Sequence, residues 1–289
     1  MTLALAKAVK SSKNAAASRA GCTKQDLIEL GACAVRQSQQ GLYLRGVRLL
    51  RETVPSFDAY PFHLNAIRTL EELEFHPKVT YIVGENGMGK STLLEAIAIG
   101  LGFNPEGGTI NFNFSTEETH SELHRYLRLV RSVNKPRDGF FFRAESYYNV
   151  ATNIDQMDRE TPRGPRLVDS YGGKSLHQQS HGESFFAAFL HRFRGNGLYM
   201  MDEPEAALSP FRQMAMLSRI NQLVGQNSQF IIATHSPILM AYPDAVIYNL
   251  TSEGIERTTL EETDHFILMK QFINNREKML HELFLEDEQ

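Results

Sequence analysis

Residues 79–92 read Val-Thr-Tyr-Ile-Val-Gly-Glu-Asn-Gly-Met-Gly-Lys-Ser-Thr, a β-rich apolar run that passes directly into glycines. The part from Gly84 to Ser91 fits the pattern G-x-x-x-x-G-K-[ST], between a predicted strand and an apolar helix that stops near Gly102. Glycines let successive backbone N–H groups point at a polyphosphate, and the helix adds its positive N-terminal end. The pattern therefore predicts a phosphate-binding loop; the alternative is a Gly-rich turn with an exposed lysine.

Two residues of this loop carry further chemistry. Lys90 is predicted to reach the β- and γ-phosphates, and the Ser91 hydroxyl to bind Mg²⁺. A second candidate lies at residues 198–203, where an apolar strand ends in Asp202 and Glu203. Carboxylates at the end of a buried strand face the crevice where α/β sheets bind ligands. We predict that Asp202 holds Mg²⁺ and that Glu203 polarises the attacking water, against the alternative of an ordinary strand end with surface acids.

The remaining pattern alternates strands with helices, which favours an α/β fold with a mostly parallel sheet covered by helices. The C-terminal part predicts one or two amphipathic helices over 263–285, broken around Asn274-Asn275. Other predicted elements are strand-like segments over 42–49 and 62–67, a helix over 119–130, a strand over 140–142, a helix over 183–193, a strand over 198–201, a helix from Pro210 capped by Ser209, and strands over 230–233 and 246–250.

Composition excludes several classes of protein. The 289 residues are 42% hydrophobic with a net charge of −4, and no apolar run approaches the ~18 residues of a membrane span. Collagen-like, disordered, disulfide-scaffold and globally basic chains are excluded, and Cys22 and Cys33 fit no zinc spacing. The first 24 residues are basic, rich in Ala and Ser and free of acids, which predicts a leader over 1–40: a frayed segment, an early start codon or a transit peptide.

Three further segments complete a known pattern: Ser180-His181-Gly182-Glu183-Ser184, Glu205-Ala206-Ala207-Leu208-Ser209 and Ile231-Ile232-Ala233-Thr234-His235-Ser236. With them the chain resembles an ABC-type ATPase. More closely, it is similar to the soluble branch of SMC, RecF and OLD-like ATPases and the small stand-alone AAA family predicted ATPases. The resemblance covers about Leu42 to the C-terminus. It implies a P-loop NTPase domain over 41–289, with an antiparallel N-terminal β part and a small helical insertion at about 115–180 that carries the signature motif.

The resemblance also implies residue roles. Glu203, His235 and Lys90 are the catalytic residues, with His235 as the switch histidine that contacts the γ-phosphate. Glu205 to Ser209 is the D-loop at the dimer interface. Nucleotide-binding residues are Gly84, Glu85, Asn86, Gly87, Met88, Gly89, Lys90, Ser91 and Thr92 of the Walker A loop, and Ser180, Gly182 and Glu183 of the signature; Mg²⁺ ligands are Ser91, Asp202 and Glu145. Two departures are His181 in place of the first signature glycine and Glu145 in place of the expected glutamine.

Because the signature contacts the γ-phosphate of the opposite subunit in this family, the resemblance implies a homodimer that encloses ATP and Mg²⁺. The use of only two cysteines suits a reducing cytoplasm, and the lack of a long apolar run predicts no membrane insertion. Three roles stay open: a switch or clamp in nucleic-acid maintenance or anti-phage defence, a regulator of a separate effector protein, and a transporter subunit. Arg125, Arg128 and Arg131 are predicted on one helix face that could bind DNA or RNA phosphates. The alternative is a solvated face balanced by nearby glutamates.

Overall fold

The computed structural model describes residues 41–110, 121–160, 166–171, 173 and 181–286. All of these residues belong to one of the two units into which the chain divides, Gly41–Gln289. The predicted leader over 1–40 lies outside the described residues.

Two β-sheets organise the described part. Its strands are β1 (Leu44–Leu49), β2 (Glu72–Glu74), β3 (Val79–Gly84), β4 (Leu127–Arg131), β5 (Asp138–Arg143), β6 (Gly197–Asp202), β7 (Gln229–Ala233), β8 (Val246–Leu250) and β9 (Ile255–Thr258). The six-stranded sheet has the order β5-β6-β7-β3-β8-β9, parallel except for β9. The three-stranded sheet, β2-β1-β4, is antiparallel. The predicted fold class is confirmed.

Helices connect and cover these strands. The α-helices in the described ranges are α1 (Asn65–Arg68), α2 (Lys90–Leu101), α3 (Tyr147–Glu160), α4 (His181–Arg192), α5 (Pro210–Gly225), α6 (Pro237–Met240), α7 (Asp264–Asn274) and α8 (Arg276–Glu286). The predicted start of α5 is confirmed, because the Arg212 backbone N–H donates to Ser209 Oγ at 3.4 Å. The two C-terminal helices are confirmed as well, with Asn275 between them.

Two predicted elements are wrong. The helix over 119–130 is a 3-10 turn at Glu122–Tyr126 followed by β4, while residues 119 and 120 lie outside the described residues. Pairing with β1 overrides the helical pattern, and it places Arg128 opposite Arg48 in the sheet. The arginines near residue 128 therefore do not share a helix face. The strand-like segment over 62–67 ends in α1, which buries Ala66 and Ile67.

The six-stranded sheet separates two hydrophobic cores because successive strand residues point to opposite faces. On one face, Tyr81, Met201 and Ile232 pack with Phe185 and Phe189 of α4. On the other face, Ile82, Met200 and Ile231 pack with Leu93 and Ile97 of α2. The second core also contains Leu44 and Val47 of β1, so the same core joins α2 to the antiparallel sheet. Helices α2 and α4 consequently lie on opposite faces of the sheet.

Candidate active site

The Walker A segment forms a turn from β3 into α2 that only glycine accommodates at its base. Gly84 has φ +136°, and an added Cβ would lie 2.3 Å from the backbone oxygen of Leu250 on β8. Gly87 and Gly89 also have positive φ, at +82° and +95°. These backbone shapes let the loop close over an anion. The turn brings together the predicted residues Gly84, Glu85, Asn86, Gly87, Met88, Gly89, Lys90, Ser91 and Thr92.

Lys90, the first residue of α2, is buried beside this loop. Its Nζ donates a hydrogen bond to the Glu85 backbone oxygen at 3.0 Å, so the ammonium group lies against the turn. Burial lowers the pKa of Lys90, while the neighbouring carboxylates of Glu203 and Asp202 raise it. A phosphate oxygen could replace the backbone oxygen as partner of the ammonium group.

The side chains of Ser91 and Asp202 are in contact at the end of the sheet where β6 ends. The Ser91 hydroxyl donates to Asp202 Oδ1 at 3.0 Å, although 111 positions separate the two residues. Asp202 ends β6 with 4% of its surface exposed, and burial raises its pKa to about 7, opposed by Arg143 and the Ser91 hydrogen bond. A hydroxyl and a carboxylate side by side are oxygen donors of the kind Mg²⁺ prefers, so the pair fits the ion.

Arg143 is a residue that sequence reasoning missed. It ends β5 directly beside Asp202 in the strand register, and its Nε lies 3.7 Å from Asp202 Oδ2. Its Nη1 forms an ion pair with buried Glu95 of α2. One guanidinium therefore lies between two buried carboxylates, one on α2 and one at the end of β6. The available signal was its position at the end of a strand, next to Glu145.

Glu145 does not join the Ser91–Asp202 pair. Its side chain is 82% exposed, and its Oε2 lies 3.5 Å from Arg143 Nη2. The structure thus connects Glu145 to Asp202 through Arg143 rather than by sharing a ligand position. Among the described residues, no group of three or more His, Cys, Asp or Glu side chains could hold a metal ion. The predicted Mg²⁺ contact of Glu145 stays a prediction.

Glu203 and His235 face each other at the same edge of the sheet. Glu203 follows Asp202 in a left-handed conformation, φ 49° and ψ 51°, which turns its side chain away from that of its neighbour. His235 Nε2 lies 3.5 Å from Glu203 Oε1 and is buried without a hydrogen-bond partner. An unpartnered buried nitrogen fits a site that receives a ligand oxygen.

Two contacts hold His235 in place. Its backbone N–H donates to Glu205 Oε1 at 2.6 Å, so the predicted D-loop residue contacts the predicted switch histidine of its own chain. Its Nδ1 lies 2.8 Å from Nε2 of His265, the second residue of α7. Sequence reasoning missed His265, because nothing local connects a histidine in an amphipathic helix with a strand 30 positions earlier.

The signature motif is only partly described. Ser180 lies outside the described residues, as do 174–179, and α4 begins at His181. The predicted helix after the signature is therefore confirmed for its backbone. The contacts predicted for Ser180, Gly182 and Glu183 stay predictions.

Known protein families match this chain. The family model described as "AAA domain" matches residues 62–164, and the one described as "AAA domain, putative AbiEii toxin, Type IV TA system" matches residues 115–241. A vitamin B12 import ATP-binding protein, BtuD, of Vibrio cholerae serotype O1 (strain M66-2) is 29% identical over 182 residues, covering 55% of this chain and 68% of that protein. An uncharacterized ABC transporter ATP-binding protein of Haemophilus influenzae is 28% identical over 189 residues, covering 60% and 68%.

Two solved structures are similar to parts of this chain. A nucleotide-free ATP-binding cassette from an ABC transporter covers 65% of this chain and 83% of its own, with 18% identity and a TM-score of 0.41. The SMC head domain from Thermotoga maritima covers 75% and 99%, with 16% identity and a TM-score of 0.38. Within the described residues, no helix has the length and apolar character needed to cross a bilayer. The matching family models and the ATP-binding relatives make this chain similar to the ABC-type ATPases.

Proposed function

We propose that this ATPase works as an ATP-bridged homodimer, as a switch in nucleic-acid maintenance or anti-phage defence, within the SMC/RecF/OLD-like branch. One observation carries the dimer: the phosphate-loop helix α2 and the signature helix α4 pack on opposite faces of the six-stranded sheet. A signature on the far face from its own phosphate loop is available to the loop of a second chain. ATP held between two chains then stabilises the closed dimer, and hydrolysis removes that stabilisation.

Within each site, the chain's own residues divide the work. Lys90 and the N–H groups of the loop hold the phosphates, and Ser91 with Asp202 holds Mg²⁺, which supplies positive charge against the phosphate oxygens. Glu203 accepts a proton from the attacking water, and the unpartnered Nε2 of His235 contacts an oxygen of the terminal phosphate.

Glu203→Gln separates ATP binding from hydrolysis. Lys90, Ser91 and Asp202 remain, so Mg-ATP still binds, whereas loss of the general base lowers turnover by about 10²–10⁴-fold. The stalled protein then accumulates as a dimer, measured by light scattering after size exclusion with and without Mg-ATP. The matched control is Glu253→Gln, an exposed glutamate in the turn before β9, which keeps wild-type turnover.

Ser180→Arg tests the contribution of the signature to the ATP site that two chains form together. The phosphate loop stays intact, so each chain still binds ATP, but the arginine puts bulk at the partner's terminal phosphate. ATP then no longer favours dimerisation, and turnover falls. A Glu203→Gln protein that stays monomeric at saturating ATP would contradict the dimer, as would full turnover of Ser180→Arg at every protein concentration.

A cationic groove at the opposite end of the strands, where β5 and β6 begin, supports the nucleic-acid role. Two adjoining cavities of about 550 and 470 Å³ share Arg137, Asp138 and Arg192. We name this surface the basic groove; its cations are Arg131, Lys135, Arg137, Arg192 and Arg194. Among the described residues that line it, Asp138 is the one carboxylate, and Asp138 forms an ion pair with Arg192 at 2.8 Å. The excess of positive charge suits a phosphate backbone.

The basic groove lies where β5 and β6 begin, and the candidate active site lies where these strands end. Six residues of strand separate the two by about 17 Å.

The Lys135→Ala, Arg137→Ala double variant is expected to weaken DNA or RNA binding in the presence of ATP. It is also expected to reduce the slope of log K against log salt concentration by about 1.5–2. Lys278→Ala, on exposed α8, is the matched control. A wild-type chain that binds neither nucleic acid with ATP present contradicts this role.

Two other roles, a regulatory ATPase and a transporter subunit, predict different results for the stalled dimer. A separate effector protein retained by the ATP-stalled Glu203→Gln dimer, without nucleic acid, would favour a regulatory ATPase. The ATP-binding relatives carry the names of transporter subunits. Retention of the stalled dimer by a membrane protein would favour that role for this chain.

A further inference from the structure

The contact between His235 and His265 joins the end of β7 to the first turn of α7. The Nδ1 atom of His235 lies 2.8 Å from Nε2 of His265, and the two ring centroids are 4.9 Å apart at an interplanar angle of 60°. The turn before α7 is well defined: Thr259 and Glu262 form a capping box, and Thr263 is buried with its hydroxyl bonded to the Leu260 oxygen at 2.7 Å. His265 therefore projects from a fixed helix start.

Only one proton can lie between the two facing nitrogens. If His235 carried it on Nδ1, a neutral His235 would present a bare lone pair on Nε2. That nitrogen faces Glu203 Oε1 at 3.5 Å, and two electron-rich atoms would then oppose each other. If His265 donates its Nε2 proton instead, His235 carries its proton on Nε2, where it faces the carboxylate and any phosphate oxygen favourably.

The surroundings of His235 make the choice of tautomer matter. Burial, Lys90 and His265 lower the pKa of His235, while Glu203 and Glu85 raise it, which favours the neutral ring. A neutral ring donates from one nitrogen only. A partner on Nδ1 therefore decides whether Nε2 can donate, as outer partners do for histidines that bind metals.

We infer that His265 is a positioning residue for ATP hydrolysis: its Nε2–H donates to Nδ1 of His235 and thereby holds the His235 proton on Nε2, aimed at the terminal phosphate. This inference rests on the proposed function of His235. It extends the active site to α7, a helix that contributes no residue to the motifs found in the sequence. His265 touches neither nucleotide nor Mg²⁺ in this arrangement; it acts through His235.

Three substitutions of His265 distinguish a hydrogen-bond donor from a packing residue. His265→Phe keeps a ring without a donor. His265→Gln places an amide N–H near the position of Nε2, whereas the shorter side chain of His265→Asn reaches only the position of Nδ1. We expect Phe and Asn to lower kcat about 10–100-fold, while the Kd for Mg-ATP changes less than about twofold, and Gln to recover most of kcat. His281→Phe, on exposed α8, is the matched control with wild-type turnover.

A spectroscopic measurement reads the tautomer directly. In ¹H–¹⁵N spectra of the imidazoles, His235 of the wild-type and His265→Gln chains is expected to be protonated on Nε2. In the Phe and Asn variants it is expected to populate both tautomers. Full kcat in His265→Phe, an unchanged His235 spectrum in that variant, or Gln behaving like Asn would overturn the inference. If the wild-type chain hydrolyses no ATP, the proposed function fails, whereas the spectrum still decides the assignment of His265.

Discussion

Gln229, the first residue of β7, connects the two sheets through one buried amide. Its side-chain oxygen accepts from the backbone N–H groups of Tyr43 and Leu44, each at 2.9 Å. Its amide nitrogen donates to the backbone oxygens of Leu44 at 2.7 Å and His76 at 3.1 Å. Because Gln229 is fully buried, water cannot replace these bonds. A single side chain thus joins the start of β1 to the parallel sheet next to β3.

Gln229→Leu keeps the approximate volume of the side chain and removes all four hydrogen bonds. Two backbone N–H groups are then left buried without the acceptor they use in the native protein, at about 1–3 kcal/mol each. Burial of the added apolar surface offsets part of this destabilisation. We therefore expect the free energy of unfolding to fall by about 2–4 kcal/mol.

Urea unfolding followed by circular dichroism measures this change, with the midpoint shifted and the m-value unchanged. The matched control is Gln222→Leu on the exposed face of α5, where the Gln222 side chain accepts from Arg219 at 3.2 Å. That variant is expected to change stability by no more than about 0.5 kcal/mol. Equal losses in the two variants would refute the account of the buried amide.

Two further predictions concern the candidate active site. Lys90→Ala removes the cation that lies against the phosphate loop, and we expect it to weaken Mg-ATP binding severely in titration calorimetry; an unchanged affinity would remove the phosphate-loop assignment. Arg143→Met leaves the buried carboxylates of Glu95 and Asp202 without their shared guanidinium, and we expect a loss of about 3 kcal/mol in urea unfolding; wild-type stability would show that the two carboxylates do not depend on it.

The parts of the molecule that could be predicted from sequence are those whose signal is local. The phosphate loop is recognised by glycines at fixed spacing between a strand and a helix. In the structure Gly84, Gly87 and Gly89 have positive φ angles. The acidic strand end is equally local, since two carboxylates directly follow an apolar run. The start of α5 follows from Ser209 and the proline after it.

The wrong predictions arose where a distant partner decides the local structure. The residues of β4 carry a helix-like spacing, but β1 offers hydrogen bonds that residues 127–131 complete as a strand. The basic groove also depends on contacts between segments that are distant in sequence. Its cations come from the end of β4, the loop before β5 and the region around the end of α4, which only the folded chain brings together.

The sequence by itself determined the reaction class and the residues predicted to face the phosphates, because backbone shape and charge at those positions are set by neighbours a few residues away. Tertiary structure alone decided the partners of those residues. Arg143 reaches Asp202 through parallel strand register, and His265 reaches His235 because the first turn of α7 lies beside the residues that follow β7. Such contacts depend on packing between segments tens of residues apart, and no spacing along one chain encodes them.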